Sequence, residues 1–516
     1  MTEPTRTEPA TAAPTTEAST APAGMHAEPR LLIDGAFRDA ADGRTFTTWS
    51  PATGEALAEV ARATAADVDA AVRAARAALE GKWARTSPAK RSRMLAKLAA
   101  LIEADADRLA ELETRNCGKP KWQALSEIRQ AVADLDFFAG AAHQVHGRSF
   151  VVNPSVVSYT LREPVGVVGA IIPWNYPFMM ATWKVAPALA AGCAVVMKPA
   201  SATPLTALEL GRLALEAGIP AGVLNVIPGP GGEVGEALVS HPGVDKVAFT
   251  GETETGRRIA SLAAQSLKRV SLELGGKSPG IVFADADLDA AISASLWAIY
   301  YSAGQSCEAR SRILVEAGIH DAFVERFTAR AAALRVGDPL ADETQIGSLI
   351  SRQHAARVLG YLDVATAEGA EILAGGAVDG ELGPGLDAAA FVRPTVIAGV
   401  RNEMRVAQEE IFGPVVTVTS FADEAEAIAI ANDVRYGLAA SVWTGDPARG
   451  HRVAQRIKSG TVGINTPFAA FPGVPFGGFK ESGYGREMSV DALDLYTETK
   501  AVLVGTNEKP LNPFGA

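Results

Sequence analysis

Two side chains in this sequence form a natural starting pair for chemistry. Cys307 closes the loop segment Gly304-Gln305-Ser306-Cys307, and Glu273 lies upstream in Leu272-Glu273-Leu274-Gly275-Gly276-Lys277-Ser278-Pro279. Together they supply a nucleophile and a carboxylate, although a single cysteine also fits a small buried hydrophobe. Asn175, in Pro173-Trp174-Asn175-Tyr176-Pro177, carries two amide N–H donors that suit a developing oxyanion. Placed before a helix, it equally suits a cap. Lys198, in Lys198-Pro199-Ala200-Ser201, ends a strand-like run, where an ammonium reaches ribose hydroxyls or a 2′-phosphate, or else points into solvent. Gly229-Pro230-Gly231 with Gly235, and Thr250-Gly251-Glu252-Thr253-Glu254-Thr255-Gly256, both sit at strand-to-helix junctions. A helix N-terminus there offers free N–H groups and a positive dipole end to phosphate. Neither stretch is a full G-x-G-x-x-G, and glycine at a strand end also serves a plain turn. On successive strand–helix units, the two point to a nucleotide.

Such groups need rigid elements to hold them, and the hydropathy pattern supplies these from residue 165 onward. Residues 165–172, 194–197, 223–227, 246–250 and 270–274 read as short apolar strands. Helices are predicted between them at 176–190, 203–217 and 233–240, with another ending at Ala264. Short buried strands alternating with helices indicate a parallel sheet covered on both faces. A second α/β region begins near Ser278. Its helix 288–301 runs into the Cys307 loop, and strands 312–315, 395–400, 415–421, 438–444 and 461–465 follow. Two such arrays make two lobes with a cleft between them, where ligands of these folds lie.

The preceding region is helical. Residues 67–80 form a helix with Thr64 as N-cap, and Ser87-Pro88 opens another. Gly118-Lys119-Pro120 stops a helix, and Cys117 beside it reads as a packing residue. Residues 149–163 are β-rich with a turn at Asn153-Pro154, an apolar hairpin that invites a partner chain. Residues 501–505 form an isolated strand, expected to pair with the hairpin of a neighbouring subunit.

The chain has 516 residues, 48% of them apolar, enough for two or three domains with real cores. Its formal charge of −11 argues against a nucleic-acid surface. Three cysteines without Cys-x-x-Cys, and histidines without ligand spacing, argue against a disulfide framework or a metal site and fit a reducing compartment. Residues 1–28 are Thr, Pro, Ala and Glu with almost no large apolar side chain, and read as a disordered tail that is no secretory signal. Residues 164–183 lack charge, but Pro173, Asn175 and Pro177 break the run, so a strand, a loop and a helix start explain it better than a membrane span. A cytoplasmic protein without membrane or nucleic-acid partners is expected.

Seven segments occur together in one order: Pro-Trp-Asn at 173–175, Lys-Pro-Ala at 198–200, Phe-Thr-Gly at 249–251, Leu-Glu-Leu-Gly-Gly-Lys-Ser-Pro at 272–279, Gly-Gln-Ser-Cys at 304–307, Glu-Glu-Ile-Phe-Gly-Pro at 409–414 and Pro-Phe-Gly-Gly-Phe-Lys-Glu-Ser-Gly at 475–483. In these the sequence resembles the aldehyde dehydrogenase superfamily, from about Leu31 to the C-terminus, and within it the betaine-aldehyde and aminoaldehyde members. The resemblance implies a Rossmann-type cofactor domain (29–144 and 164–275), a second α/β catalytic domain (276–489) and a small β oligomerisation hairpin (145–163 with 490–516). It also implies a homo-oligomer, dimer or tetramer.

The same resemblance implies that Cys307 adds to the aldehyde carbonyl, a step suited to a thiolate that later leaves readily. Asn175 and the Cys307 N–H would hold the oxyanion, and Glu273 would activate water to hydrolyse the thioester. Glu410 and Phe412 would meet the nicotinamide end of the cofactor, and Lys198 the adenine ribose. Ile172, Trp174, Ser201, Gly231, Gly235, Thr250, Gly251 and Leu274 complete the implied cofactor set. Ser201 stands where many members carry a Glu that grips the ribose diol and repels a 2′-phosphate. Its neutrality leaves Lys198 to pair with phosphate, so NADP is expected to be accepted beside NAD. Glu252, where a small Ser is common, is an acid near the expected pyrophosphate.

Tyr176 and Trp183 resemble the aromatic pair of aminoaldehyde and betaine-aldehyde members, with Tyr301 and Phe476 completing the wall; aromatic faces attract ammonium groups. The alternative is ordinary apolar lining for a broad range of aliphatic and aromatic aldehydes. Trp183 stands where relatives acting on succinate semialdehyde tend to carry Arg, which speaks against that substrate. A CoA-acylating relative usually lacks the carboxylate at Glu273, and a non-catalytic one should have lost Cys307, Glu273 or Asn175.

Overall fold

A computed structural model describes residues 28–380, 382–506 and 514–515 of the protein. The expected tail thus lies, but for Glu28, outside the described residues. Two α/β sheets dominate. In the first, the strands run in the order Ala36–Arg38, Leu31–Ile33, Leu224–Val226, Ala194–Lys198, Val167–Ile171, Lys246–Thr250, Arg269–Glu273, Gly483–Tyr484. The five inner strands are parallel and the outer ones antiparallel. Chain order reverses between Val167–Ile171 and Lys246–Thr250, the switch point of a doubly wound sheet. The strands form where β-branched residues are buried on both faces: every residue of Val167–Ile171, Ala194–Lys198 and Lys246–Thr250 is inside. Each such Val or Ile contributes roughly 1.5–3 kcal/mol by leaving water.

The second sheet has the order Glu371–Ala377, Val392–Ala398, Val415–Phe421, Arg312–Glu316, Pro279–Val282, Ala439–Trp443, Thr461–Ile464, parallel except at its first pair. The stretch 276–489 is not wholly its own, because Gly483–Tyr484 pairs with Arg269–Glu273 in the first sheet. The strand at Pro279–Val282 and the hairpin Thr45–Trp49 with Ala56–Ala61 were not legible, since both are short and lack clean alternation.

Between the sheet strands and the surface, helices fall where predicted. Ala65–Glu80 is capped at Thr64 by a capping box with Asp67. Pro177–Ala191 starts on a proline and stops at Gly192, whose φ of +99° a residue with a Cβ resists. This strand–loop–helix accounts for the uncharged run 164–183, and no helix among the described residues is long and apolar enough to cross a membrane.

A third, antiparallel sheet is formed by Ser149–Asn153, Val156–Pro164 and Thr497–Gly505. Here the structure corrects the sequence expectation. The last strand runs beside Val156–Pro164 of the same chain, from Thr497↔Pro164 to Gly505↔Val156. Nothing in a local pattern distinguishes a partner in the same chain from one in a neighbour. The outer strand Ser149–Asn153 is exposed throughout.

Candidate active site

Register places the candidate residues before any side chain is considered. In the first sheet Lys198 lies opposite Ile171, Ile171 opposite Phe249, and Thr250 opposite Glu273. The carboxyl ends of four parallel strands therefore finish at one level. In the second sheet the Cys307 loop leads into Arg312–Glu316, Phe412 lies just before Val415–Phe421, and Gly276 just before Pro279–Val282. Those three strands are neighbours. The amino edge of the second sheet thus meets the carboxyl edge of the first, and a cavity of about 650 Å³ opens between them. Cys307, Glu273, Asn175, Trp174, Tyr176, Thr250, Gly251, Glu410 and Phe412 line it.

The Cys307 loop is held under strain. After the helix Leu288–Tyr300, Ser302 and Ala303 both take φ of +52° and Gly304 +71°. For a residue with a Cβ this costs of order 1–3 kcal/mol, so packing must impose it. A Cβ on Gly304 would collide with the Gly413 carbonyl. Gln123 Oε1 accepts the Ser302 N–H at 2.9 Å, and Gln305 Oε1 accepts the Ile350 N–H at 2.9 Å. Asn175 Nδ2 donates to the Gln305 carbonyl at 2.8 Å, tying the proposed oxyanion donor to this loop.

The two glycines after Glu273 are required by contact. A Cβ on Gly275 would strike the Glu410 carboxylate, and one on Gly276 the Cys307 carbonyl. The Gly276 N–H donates to Glu410 Oε1 at 3.0 Å. Burial nonetheless pushes Glu410 up to about 7, against that bond and nearby cations. Glu273 is buried with both carboxylate oxygens unpartnered, and burial, then the Glu487 carboxylate, hold it well above the usual range. Burial, then Glu410 and Glu273, push the Cys307 thiol up to about 12. It is a neutral thiol here.

The adenine-side candidates also come together, away from the cavity lining. Ser201 Oγ donates to the Gly229 carbonyl at 2.8 Å, and Gly235 would place a Cβ 3.8 Å from the Lys198 side chain. Gly231 faces open space, in a turn of π type, Gly231–Gly235, that precedes the short helix Glu236–Ser240 and shortens the one predicted from 233. Lys198 is buried, donates to the Pro199 carbonyl at 2.9 Å, and is pushed down to about 8 by that burial. Ile172 and Leu274 are buried at their strand ends. The Thr250 and Thr253 hydroxyls are buried beside the cavity with no protein partner. Thr253 begins the helix Thr253–Ala264. An elongated phosphate-bearing cofactor fits this set: open glycine turn, orphan hydroxyls, helix N-terminus and a carboxylate at the far end. Glu252 is the N-cap of that helix, makes no capping bond and lies on the cavity wall; nothing in the structure explains its charge.

Of the proposed substrate wall, Tyr176 lines the cavity, and Trp183, Tyr301 and Phe476 belong to the same packed cluster as Tyr176 and Cys307. One face of Tyr176 already carries a cation, Lys119 Nζ, 4.2 Å from the ring centre. Trp183 Nε1 donates to Asp134 at 2.7 Å and meets Phe476 edge-on at 5.3 Å. Tyr301 donates to the Gln123 carbonyl at 3.4 Å and packs against Trp297 at 4.7 Å.

His354 and Arg357, on the helix Arg352–Ala367, also line the cavity and went unnoticed in the sequence. His354 Nε2 donates to the Phe412 carbonyl at 2.7 Å and abuts Trp174, with ring centres 5.4 Å apart. Phe412 has φ of +60°, so this bond helps hold a strained residue. No motif surrounds either residue to announce it.

Residues 37–502 match the aldehyde dehydrogenase family. The chain is 46% identical to an aldehyde dehydrogenase of Aspergillus niger over 486 residues, 94% of this chain and 97% of that one. It is similar to the NAD+ complex of an aldehyde dehydrogenase from Bacillus cereus, with TM-score 0.91 and 44% identity, covering 93% of this chain and 97% of that one. It is also similar to betaine aldehyde dehydrogenase from Staphylococcus aureus in complex with NAD+, with TM-score 0.93 and 40% identity, covering 95% and 98%.

Proposed function

As the chain belongs to the aldehyde dehydrogenase family and oxidises aldehydes with NAD, we propose that the reaction runs through Cys307, Asn175 and Glu273 and ends in hydrolysis. The reading is carried by one observation: the thiol, the carboxamide and an unpartnered carboxylate share a single cavity. Cys307 Sγ gives its proton up to solvent and adds to the aldehyde carbon, and Asn175 Nδ2 with the Cys307 N–H bears the charge on oxygen. A nicotinamide held by Glu410 and Phe412 would supply the acceptor for the hydride that this carbon gives up, and Cys307 then carries the thioester. Glu273, whose carboxyl burial and then the Glu487 carboxylate hold well above the usual range, takes a proton from water as the water attacks the thioester. The acid departs and Cys307 regains its proton. Glu410 and Phe412 hold the nicotinamide end of the cofactor, and Lys198, Ser201 and the turn at Gly231–Gly235 the adenine end.

We assign residues 29–144 and 164–275 to the cofactor domain, 276–489 to the catalytic domain, and 145–163 with 490–516 to assembly of a homo-oligomer. NADP is accepted beside NAD, a reading supported by the neutral Ser201 near Lys198. For the substrate, an amino- or trimethylammonio-aldehyde is supported by the Tyr176 ring on the cavity wall, with Trp183 and Phe476 packed in the same cluster. Lys119 on one face of Tyr176 favours a second reading, a broad range of apolar aldehydes, because a fixed cation repels an ammonium substrate.

Cys307→Ala should abolish cofactor reduction by aldehyde; retained turnover would refute the assignment. Glu273→Ala should leave an initial burst of reduced cofactor followed by a slow steady state, and an undiminished steady rate would remove its role. Rates with betaine aldehyde, 4-aminobutyraldehyde, phenylacetaldehyde and hexanal, each with NAD and with NADP, separate the substrate readings.

A further inference from the structure

Lys119 is a fully buried cation close to the reacting groups that the mechanism above does not use. It follows Gly118, which ends the helix Ala106–Cys117 with φ of +84°. A Cβ on Gly118 would collide with Ser348, and one on Gly347 with the Gly118 carbonyl. The turn is therefore wedged against Gly347-Ser348, and the next side chain is driven inward. Its ammonium finds three partners. It is ion-paired with Glu127, whose side chain is also buried. It donates to the backbone carbonyl of Asn175 at 2.7 Å. It lies over the Tyr176 ring. Burying a charge is costly unless it is paired and hydrogen-bonded throughout. Here burial opposes the charge, and the Glu127 carboxylate beside it more than offsets that, holding the lysine above its ordinary value. It is a cation in the folded protein.

We propose that Lys119 is a positioning residue for the oxyanion donor, with Glu127 setting the lysine in place. The inference rests on reading Asn175 as that donor. The strand Val167–Ile171 has ended before Asn175, and the following helix does not begin until Pro177. Residues 172–176 therefore lack ladder hydrogen bonds beyond the Ile172 N–H, which donates to Lys198 O at 3.2 Å. Lys119 grips this span at the Asn175 carbonyl, while the Asn175 carboxamide reaches the Cys307 loop through Gln305. Three distant segments, the Gly118 turn, the Asn175 loop and the nucleophile loop, are thereby fixed to one another. Ser348 joins them at the other side: its N–H donates to Gly118 O at 3.0 Å, and its carbonyl accepts from Gln305 Nε2 at 3.5 Å. Releasing the Asn175 carbonyl lets the carboxamide drift. A drift of one ångström at a reacting centre costs about a hundredfold in rate, and loss of one oxyanion donor about a hundredfold to a thousandfold.

The experiment is a double-mutant cycle in the full-length enzyme with NAD bound, reading the single-turnover rate of reduced nicotinamide formation. Lys119→Met should slow this step about tenfold to a hundredfold, leave the dissociation constant for NAD within about twofold, and cost little more when Asn175→Ala is already present. A purely structural lysine would instead give additive effects and weaken NAD binding as well; that result, or a Lys119→Met rate within twofold of wild type, overturns the proposal. If Lys119→Met does not fold, Glu127→Gln takes its place, because it keeps the shape and removes the counter-charge. The same non-additivity with Asn175→Ala is expected, and additivity overturns the proposal. If Asn175→Ala alone leaves the rate unchanged, the oxyanion reading itself fails, a result distinct from either outcome for Lys119.

Discussion

At Cys307 the surroundings oppose ionisation: burial first, then the carboxylates of Glu410 and Glu273, which arrive from different sheets. Removing either negative charge stabilises the thiolate, lowers the pKa and speeds alkylation at a fixed pH. Glu410→Gln should therefore raise the iodoacetamide rate of the cofactor-free enzyme at pH 8 by more than Glu273→Gln does. Each pKa unit recovered is worth about tenfold; a slower rate in Glu410→Gln would overturn this ordering. Lys198 carries a second pH signature. Burial holds it near 8, so its ammonium is present below that pH and lost above it. The affinity for NADP relative to NAD should fall as pH rises through 8, measured by isothermal titration calorimetry, while NAD binding stays nearly level. These residues were legible because each sits in a motif. Their ionisation was not, because it depends first on burial and, at Cys307, then on Glu410, which lies far along the chain.

The elements were legible where periodicity is strong. Buried parallel strands announce themselves by apolar runs, and helices by caps such as Thr64 and stops such as Gly118. What sequence could not supply is contact. Gly304 reads as one glycine of a motif, yet its role is to let the Gly413 carbonyl approach while Ser302 and Ala303 take left-handed conformations. Gly304→Ala must displace that carbonyl and hold alanine at positive φ, so it should destabilise by roughly 2–5 kcal/mol. The urea midpoint should fall with an unchanged slope, and cofactor reduction should fall with it. Lys119 was hidden for the same reason: a helix stop of Gly-Lys-Pro type says where the chain turns and nothing about what the lysine meets.

At the scale of the whole molecule, two sheets meeting edge to edge create the cavity, and a third sheet, the arm, pairs Ser149–Asn153, Val156–Pro164 and Thr497–Gly505. Its outer strand exposes Phe150, Val151 and Val152, and Leu503 is exposed on the last strand. An apolar edge of this kind is a ready surface for a second copy. Phe150→Lys with Val151→Lys should lower the assembly mass in sedimentation while leaving the fold intact by circular dichroism; an unchanged mass would remove the arm from the interface. The two-lobe plan was readable from two runs of alternating strands and helices, whereas the arm's closure within one chain was not. That closure also sets a timetable for synthesis. Arg162 waits for Thr497, 335 residues later, which at ribosomal speed is on the order of half a minute. Throughout that interval the nascent hairpin carries an open edge on each side, and a chain that stops short of residue 497 never receives its third strand. Translation that stalls late in the message should therefore yield aggregation-prone fragments, and a tag on the carboxyl end reports only chains that have reached the strand completing the arm.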